Sequence, residues 1–137
     1  MSADIRIRWN WLKFMYIYTI IGAGGFGVGI ILVPHVIQSL FRFPNQEPIT
    51  LGITGSVFAG FGLMSILGLR SPLKFVPVLF LQLGYKLIWL IGVILPLFVS
   101  GRFPMYATAI LVIFATYIIG DLIAIPFSYL FSKCTDV

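Results

Sequence analysis

The sequence has very little charge, since only 9% of its 137 residues are Asp, Glu, Lys or Arg while 60% are hydrophobic. A soluble domain carries roughly 25% charged residues, and it needs polar side chains to cover its surface. This composition argues against an ordinary water-soluble domain. It predicts a chain whose outer surface lies in a lipid bilayer.

Cysteine and histidine are nearly absent, with Cys134 and His35 the single residue of each type. One cysteine excludes an internal disulfide, a CxxC redox pair and a cysteine-rich metal site. We interpret Cys134 as a free thiol near the end of the chain, with reversible acylation as the alternative. His35 has only Glu47 near it in sequence as a second ligand, so no metal is expected. A lone histidine also supports no Ser-His-Asp or Cys-His catalytic arrangement.

The net charge of +5 does not predict nucleic-acid binding. The basic residues are scattered at the ends of hydrophobic segments, whereas a nucleic-acid interface needs a dense basic face. Their placement is typical of a membrane orientation signal instead.

Four apolar segments are long enough to span a bilayer, because a hydrocarbon core of roughly 30 Å needs about 20 helical residues. The predicted spans are about 14–33, 51–69, 75–100 and 103–131, in a single transmembrane domain that covers residues 1–137. The first has no A-x-A-like cleavage site, so we expect it to remain as a helix. Short connections predict an all-α fold, an integral membrane four-helix up-and-down bundle.

The basic residues predict the orientation of the four spans. Six fall on one side of the membrane and two on the other, and the richer side is cytoplasmic by the positive-inside rule. The six are Arg6, Arg8, Lys13, Arg70, Lys74 and Lys133, and the two are Arg42 and Arg102. Both termini are therefore expected in the cytoplasm.

The glycines of the first span imitate a dinucleotide motif, since Gly22, Gly24 and Gly27 spell G-x-G-x-x-G. That motif needs a preceding strand and a crossover helix, so its position inside an apolar span argues against nucleotide binding. Rows of small residues predict close helix packing instead. The rows are Gly25 and Gly29 in the first span, and Gly52, Ser56 and Gly60 in the second.

Lys86 and Asp121 interrupt the third and fourth spans. An ionised side chain in hydrocarbon costs at least about 2.5–3.5 kcal/mol, so such a residue is expected to face protein or water and to have a partner. Lys86 is 12 residues from Lys74, and Asp121 is 12 residues from Lys133. Both therefore lie roughly 18 Å from the cytoplasmic boundary, and we expect them to meet.

Two interpretations of this pair stay open. One is a buried ion pair that fixes the pairing of the third and fourth helices. The other, which we favour, is a ligand site or proton relay, because ionisable groups within membranes often mark such paths. Other side chains of the same two spans complete the predicted ligand-binding pocket. They are Gln82, Tyr85, Trp89 and Tyr117.

Three short motifs resemble those of small bacterial four-helix membrane proteins near the DoxX-like superfamily. They are Gly84-Tyr85-Lys86-Leu87-Ile88-Trp89, Gly101-Arg102-Phe103-Pro104 and Gly120-Asp121-Leu122-Ile123-Ala124-Ile125-Pro126-Phe127. The resemblance covers most of the chain. It implies a four-helix bundle in the bacterial inner membrane, linked in some relatives to quinone-dependent sulfur oxidation. The sequence departs from redox chemistry of that kind in having no redox cysteine pair.

The leading hypothesis is the binding or transport of a small amphipathic molecule, quinone-like or lipid-like, in a pocket around Lys86 and Asp121. The alternative is a non-catalytic accessory subunit that packs its small-residue rows against a larger membrane complex or a second copy of the chain. A membrane enzyme ranks third, because no catalytic set is recognisable.

Overall fold

The computed structural model describes residues 6–133, and this part of the chain is helical without any β-strand. Cys134 lies outside the described residues. The helices are α1 (Trp9–Leu32), α2 (Pro34–Leu40), α3 (Pro48–Arg70), α4 (Val76–Val99), α5 (Ala107–Ala124) and α6 (Phe127–Leu130). Two π-helical turns interrupt α1 and α4, at Ile20–Gly24 and Leu90–Ile94 respectively.

Four of these helices, α1, α3, α4 and α5, are long and apolar enough to cross a membrane. Each carries large apolar side chains on its outer surface, such as Ile21, Leu63, Ile88 and Ile119, which are all more than half exposed. A water-soluble protein would not leave so much contiguous apolar surface uncovered. The structure is therefore that of a multi-pass membrane protein.

The helix ends follow from proline and from one carboxylate. Pro34 and Pro48 open their helices, where the missing N–H is not needed. Glu47 caps α3 by accepting hydrogen bonds from the backbone N–H groups of Ile49 and Thr50, both at 2.8 Å. The α3 helix therefore begins sharply at the end of the connection from α2.

The helices differ at several ends from the predicted spans, because hydropathy marks apolar residues and not backbone conformation. The first helix begins at Trp9, before the apolar run at 14–33, since polar interfacial residues can continue a helix. The fourth begins at Ala107 and ends at Ala124, although the apolar segment runs over 103–131. Pro126 lacks the N–H that a continuing helix would use, and the short α6 follows it.

The α1 helix packs along α3 throughout its length, and glycines allow the close approach. A Cβ atom at Gly27 would collide with the backbone of Gly55 and Ala59, and one at Gly62 would lie 2.6 Å from the Cα of Gly24. The contact between the two helices is therefore between backbones, as small residues permit.

The glycine rows predicted from the sequence are not the ones that make this contact. Gly25, Gly52 and Gly60 have no other atoms within 4 Å of a Cβ built on them, and Gly29 faces Ile37 of α2. Small residues do allow close packing of helices, as predicted, but the contact between α1 and α3 uses other glycines than the predicted ones. In α1, a spacing of four residues predicts that Gly25 and Gly29 share a face, but it does not say which helix that face meets.

The four long helices form one half that is closely packed and one half that is open. We define the closed half as residues 9–19, 61–70, 76–86 and 117–124. Its core is formed by Leu12, Met15, Tyr16, Val76, Leu79, Leu83, Tyr117 and Ala124. Large side chains pack directly against glycines here. A Cβ atom at Gly68 would collide with Tyr16, and one at Gly120 would collide with Met15.

The open half consists of residues 25–32, 48–58, 90–99 and 107–114. Residues 25–32 of α1 contact α3 and α2 there. Within the described chain, residues 90–99 of α4 have no comparable backbone contact with another helix. A cavity opens in this half, and the residues of α4 that line it are Tyr85, Lys86 and Trp89.

Candidate functional site

Lys86 lies at the inner end of the cavity in the open half. The cavity has a volume of about 670 Å³, which is within the range of roughly 300–1,000 Å³ that small-molecule sites occupy. Its walls come from α1, α2, α3, α4 and α5, and they are mostly aliphatic and aromatic. Among the residues that the structure describes, Lys86 is the one charged side chain in these walls.

The connection between α2 and α3 covers the other end of the cavity. The buried side chain of Gln38 accepts a hydrogen bond from the backbone N–H of Gln46 at 2.8 Å, which holds this connection against α2. Phe41 and Phe43 stack with their ring centroids 5.8 Å apart, and Phe41 meets Phe26 of α1 edge to face. The end remote from Lys86 is therefore aromatic.

Three aromatic rings surround the ammonium group of Lys86. Its Nζ atom lies 4.2 Å from the ring centroid of Tyr117, 4.4 Å from that of Tyr85 and 4.9 Å from that of Phe114. These distances are within the range of cation–π attraction. Nζ also donates a hydrogen bond to the Tyr85 hydroxyl at 3.0 Å. The side chain of Lys86 is 1% exposed, so the rings replace water around its charge.

The ring of Tyr117 is held in place by its hydroxyl group, which inserts into the backbone of α1. The hydroxyl donates to the carbonyl of Tyr18 and accepts from the N–H of Ala23, both at 3.1 Å. Tyr18 and Ala23 are five residues apart, which is the spacing of a π-helical bond. A Cβ atom at Gly22 would collide with this hydroxyl. Tyr117 therefore links the π-helical turn of α1 to the position of Lys86.

A buried polar cluster lies on the closed-half side of Lys86. Gln82 Nε2 donates to Asp121 Oδ2 at 3.1 Å and to Thr19 Oγ1 at 3.2 Å, and the Thr19 hydroxyl donates to the carbonyl of Met15 at 2.7 Å. Gln82, Asp121 and Thr19 are fully buried. Three buried oxygens in the described part of the chain have no protein partner: Ser65 Oγ, Gln82 Oε1 and Asp121 Oδ1.

The expected contact between Lys86 and Asp121 is absent. Both side chains are buried, but within residues 6–133 no Lys or Arg nitrogen lies within 4.0 Å of a carboxylate oxygen. Gln82 lies one turn before Lys86 and donates to Asp121 directly. The longer lysine side chain reaches the rings of Tyr85, Phe114 and Tyr117 at the inner end of the cavity instead. The prediction of a direct ion pair is therefore wrong.

The predicted ligand-binding residues divide between the cavity and the cluster behind it. Lys86, Tyr85, Trp89 and Tyr117 line the cavity. Gln82 and Asp121 do not line it, because they lie deeper in the closed half.

The sequence interpretation missed Phe114 and Thr19. Phe114 meets Trp89 edge to face at 4.9 Å and lies one helical turn before Tyr117. That spacing was an available signal, because residues three apart share a helix face. Thr19 gave no comparable signal, since its partner Gln82 is 63 residues away in the chain.

The described residues contain no group of three or more His, Cys, Asp or Glu side chains placed to hold a metal ion. Comparisons of the chain with protein-family models, with curated proteins and with solved structures find no match. The geometry of the cavity is therefore the main basis for a proposed function.

Proposed function

We propose that the chain is a four-helix up-and-down bundle of the bacterial inner membrane that binds or transports a small amphipathic molecule in the cavity of the open half. The observation that carries this proposal is Lys86, the one charged side chain among the described residues that line an otherwise apolar cavity of about 670 Å³. A polar head would bind at Lys86, and an apolar tail, as in a quinone or a lipid, would lie against the walls. The resemblance to DoxX-like proteins fits this function and stays a prediction.

The same proposal places both termini in the cytoplasm. Basic residues flank the closed half at its surface, including Arg8, Lys13 and Arg70, and positive residues are retained on the cytoplasmic side. The cavity then lies in the outer half of the membrane, with the connection between α2 and α3 at its outer face.

Fluorescence of Trp89, which lines the cavity, provides a test. The protein is first changed at Trp9 and Trp11 to phenylalanine, so that Trp89 is its one tryptophan. We expect a decyl-substituted benzoquinone to quench Trp89 saturably in lipid nanodiscs. Lys86→Met should weaken this binding about ten-fold or more, because a hydrogen bond to a charged group is worth about 1.5–3 kcal/mol.

Lys74→Met is the matched control, because Lys74 is exposed at the end of the closed half. It should leave the quenching unchanged. Equal binding by the Lys86 and Lys74 variants, both folded, would show that the quinone does not bind at Lys86. No saturable quenching of the parent protein would count against a quinone-like ligand.

One observation favours the second candidate function, that of a non-catalytic accessory subunit. Gly52, Ser56 and Gly60 face outward on α3, and the space beside both glycines is empty. Such a row lets another membrane helix approach closely. Gly52→Leu and Gly60→Leu would then release a partner protein, or a second copy of the chain, during purification in mild detergent. A complex that survives both changes would argue against this use of the row.

A further inference from the structure

The inner end of the cavity has more free hydrogen-bond donors than free side-chain acceptors. An ammonium group carries three N–H donors, and only one from Lys86 meets an oxygen, the hydroxyl of Tyr85. The other two face aromatic rings. A ring face attracts a cation less strongly than an anionic oxygen that accepts a hydrogen bond from it. Two donors therefore remain for a ligand.

The two tyrosines beside Lys86 differ in whether the hydroxyl proton is free to bond to a ligand. The hydroxyl of Tyr117 both donates and accepts within the backbone of α1, so its proton is already used. The hydroxyl of Tyr85 accepts from Lys86 and has no acceptor for its own proton among the described residues. Tyr85 therefore adds one more donor to the inner end.

The other polar groups of the cavity are already paired. Gln38 bonds to the backbone of Pro34 and Gln46, and the hydroxyl of Thr54 donates to the carbonyl of Thr50. The unpaired carboxylate oxygen of Asp121 does not line the cavity. Among the side chains beside Lys86, a ligand head that brings a proton of its own would thus find only tyrosine hydroxyl oxygens that already accept a hydrogen bond.

From this arrangement we infer that the ligand of the cavity is a single-chain carboxylate, whose head group binds Lys86 and Tyr85 and whose apolar chain extends toward Phe41 and Phe43. This inference rests on the proposed function and names its ligand class. A carboxylate is acceptor-only, so both of its oxygens can accept hydrogen bonds from Lys86 and Tyr85. A charged acceptor forms stronger hydrogen bonds than the neutral oxygen of an alcohol or an ester, and an amine would be repelled by Lys86.

Four ligands with the same apolar chain and different head groups test the inference. A brominated dodecanoate quenches Trp89 in the variant that retains only this tryptophan, and unlabelled dodecanoate, methyl dodecanoate, dodecanol and dodecylamine compete with it. The measurement is made at about pH 8, where carboxylic acids are ionised. Each affinity is expressed as a mole fraction in the bilayer, so that different partitioning of the head groups does not enter.

We expect dodecanoate to bind at least about ten-fold tighter than its methyl ester and the alcohol, and the amine to bind most weakly. Lys86→Gln should remove the preference for the carboxylate while the ester still binds, and Lys86→Arg should keep it. Lys74→Gln should change neither affinity. Tyr85→Phe should reduce the preference by a smaller factor, because it removes one donor and keeps the ring.

Two outcomes separate the failure of this inference from the failure of the proposed function. Equal affinities for carboxylate and ester, or an amine that binds as tightly as the carboxylate, would overturn the carboxylate assignment and leave an amphiphile site in place. No competition by any of the four ligands, together with no quenching by the benzoquinone, would overturn both.

Discussion

The closed and open halves differ in what fills the space between the helices. In the closed half, glycines receive large side chains, as Gly68 receives Tyr16 and Gly120 receives Met15. In the open half, glycines bring α1 and α3 together, and these two helices share the lining of a cavity with α2, α4 and α5. The same residue type thus makes room for side chains in one half and brings two backbones together in the other.

The two halves also differ in their polar groups. The polar side chains of the closed half bond to one another, as Gln82 does to Asp121 and Thr19. Lys86, at the boundary, instead lies against aromatic rings and lines the cavity. We therefore expect substitutions in the closed half to change stability, and those around Lys86 to change binding.

The largest expected effect comes from Gln82→Leu, which removes the one hydrogen-bond donor that contacts Asp121 in the described structure. Leaving a buried charge without a partner should lower the free energy of unfolding by about 3 kcal/mol or more. Unfolding in mild detergent measures this change. The double variant Gln82→Leu, Asp121→Leu should recover much of the loss, because an apolar replacement of both partners is tolerated. A fully stable single variant would contradict the structural role of the cluster.

Gly27→Ala should have the next largest effect and should show that one side of the open half is tightly packed. The added methyl would collide with the backbone of α3, and overpacking of this kind costs about 1–3 kcal/mol. Gly25→Ala is the matched control, because its methyl would enter open space. The control should be neutral or slightly stabilising, since alanine favours a helix by up to about 1 kcal/mol. Equal losses in both variants would contradict the described faces of α1.

Much of the fold can be predicted from the sequence, whereas the arrangement of glycines cannot. Four apolar segments of sufficient length predict four membrane-crossing helices, and the structure confirms that four helices are long and apolar enough. The choice between Gly25 and Gly27 as a contact residue depends on the helical phase after the turn at Ile20–Gly24. A side chain 94 residues away inserts into that turn, so no local pattern reports it.

The candidate site is predictable in part for similar reasons. The high cost of a charge in hydrocarbon predicts that Lys86 and Asp121 are buried, and both are. Depth along the helices places them near one level but does not say which way each side chain points. Gln82, on the same face as Lys86, contacts Asp121 in its place. The separation of the cavity from the polar cluster therefore depends on side-chain directions, which spacing along a helix does not report.

Tyr117→Phe tests the junction between the halves and should have a smaller effect, of about 1–2 kcal/mol in the free energy of unfolding. It removes the hydroxyl that bonds to Tyr18 and Ala23, and a buried backbone group left unpaired carries this order of penalty. Hydrogen exchange of the Ala23 amide should become faster. Tyr18→Phe is the control, because its hydroxyl bonds to Thr116 in an exposed position. Unchanged exchange at Ala23 would show that the π-helical turn does not depend on the hydroxyl.

The smallest expected effect concerns the cap of α3, at the outer end of the open half. The backbone N–H groups of Thr50 and Ile49 lower the pKa of the exposed Glu47 carboxylate from its ordinary value. A lowered pKa in the folded state means that the cap stabilises the protein above the ordinary pKa of glutamate. This contribution is lost as the pH falls through the lowered value.

Glu47→Gln should therefore reduce the Tm slightly near neutral pH and should have progressively less effect in acid. The difference in Tm between the parent protein and the variant, measured against pH, checks this prediction. A difference that grows on acidification would have the wrong sign for a carboxylate cap.

The π-helical turn at Ile20–Gly24 changes the rotational phase of α1, so the residues before it and after it follow different helical wheels. Each residue advances an α-helix by about 100°, so one additional residue in a turn rotates everything beyond it by nearly a third of a circle. Residues 9–19 can consequently present a face to both α3 and α5, whereas residues 25–32 turn toward α3 and α2. A helical wheel drawn through the whole of α1 superimposes these two surfaces. Deletion of one residue from the turn would rotate residues 9–19 relative to residues 25–32, and different side chains would then face α5.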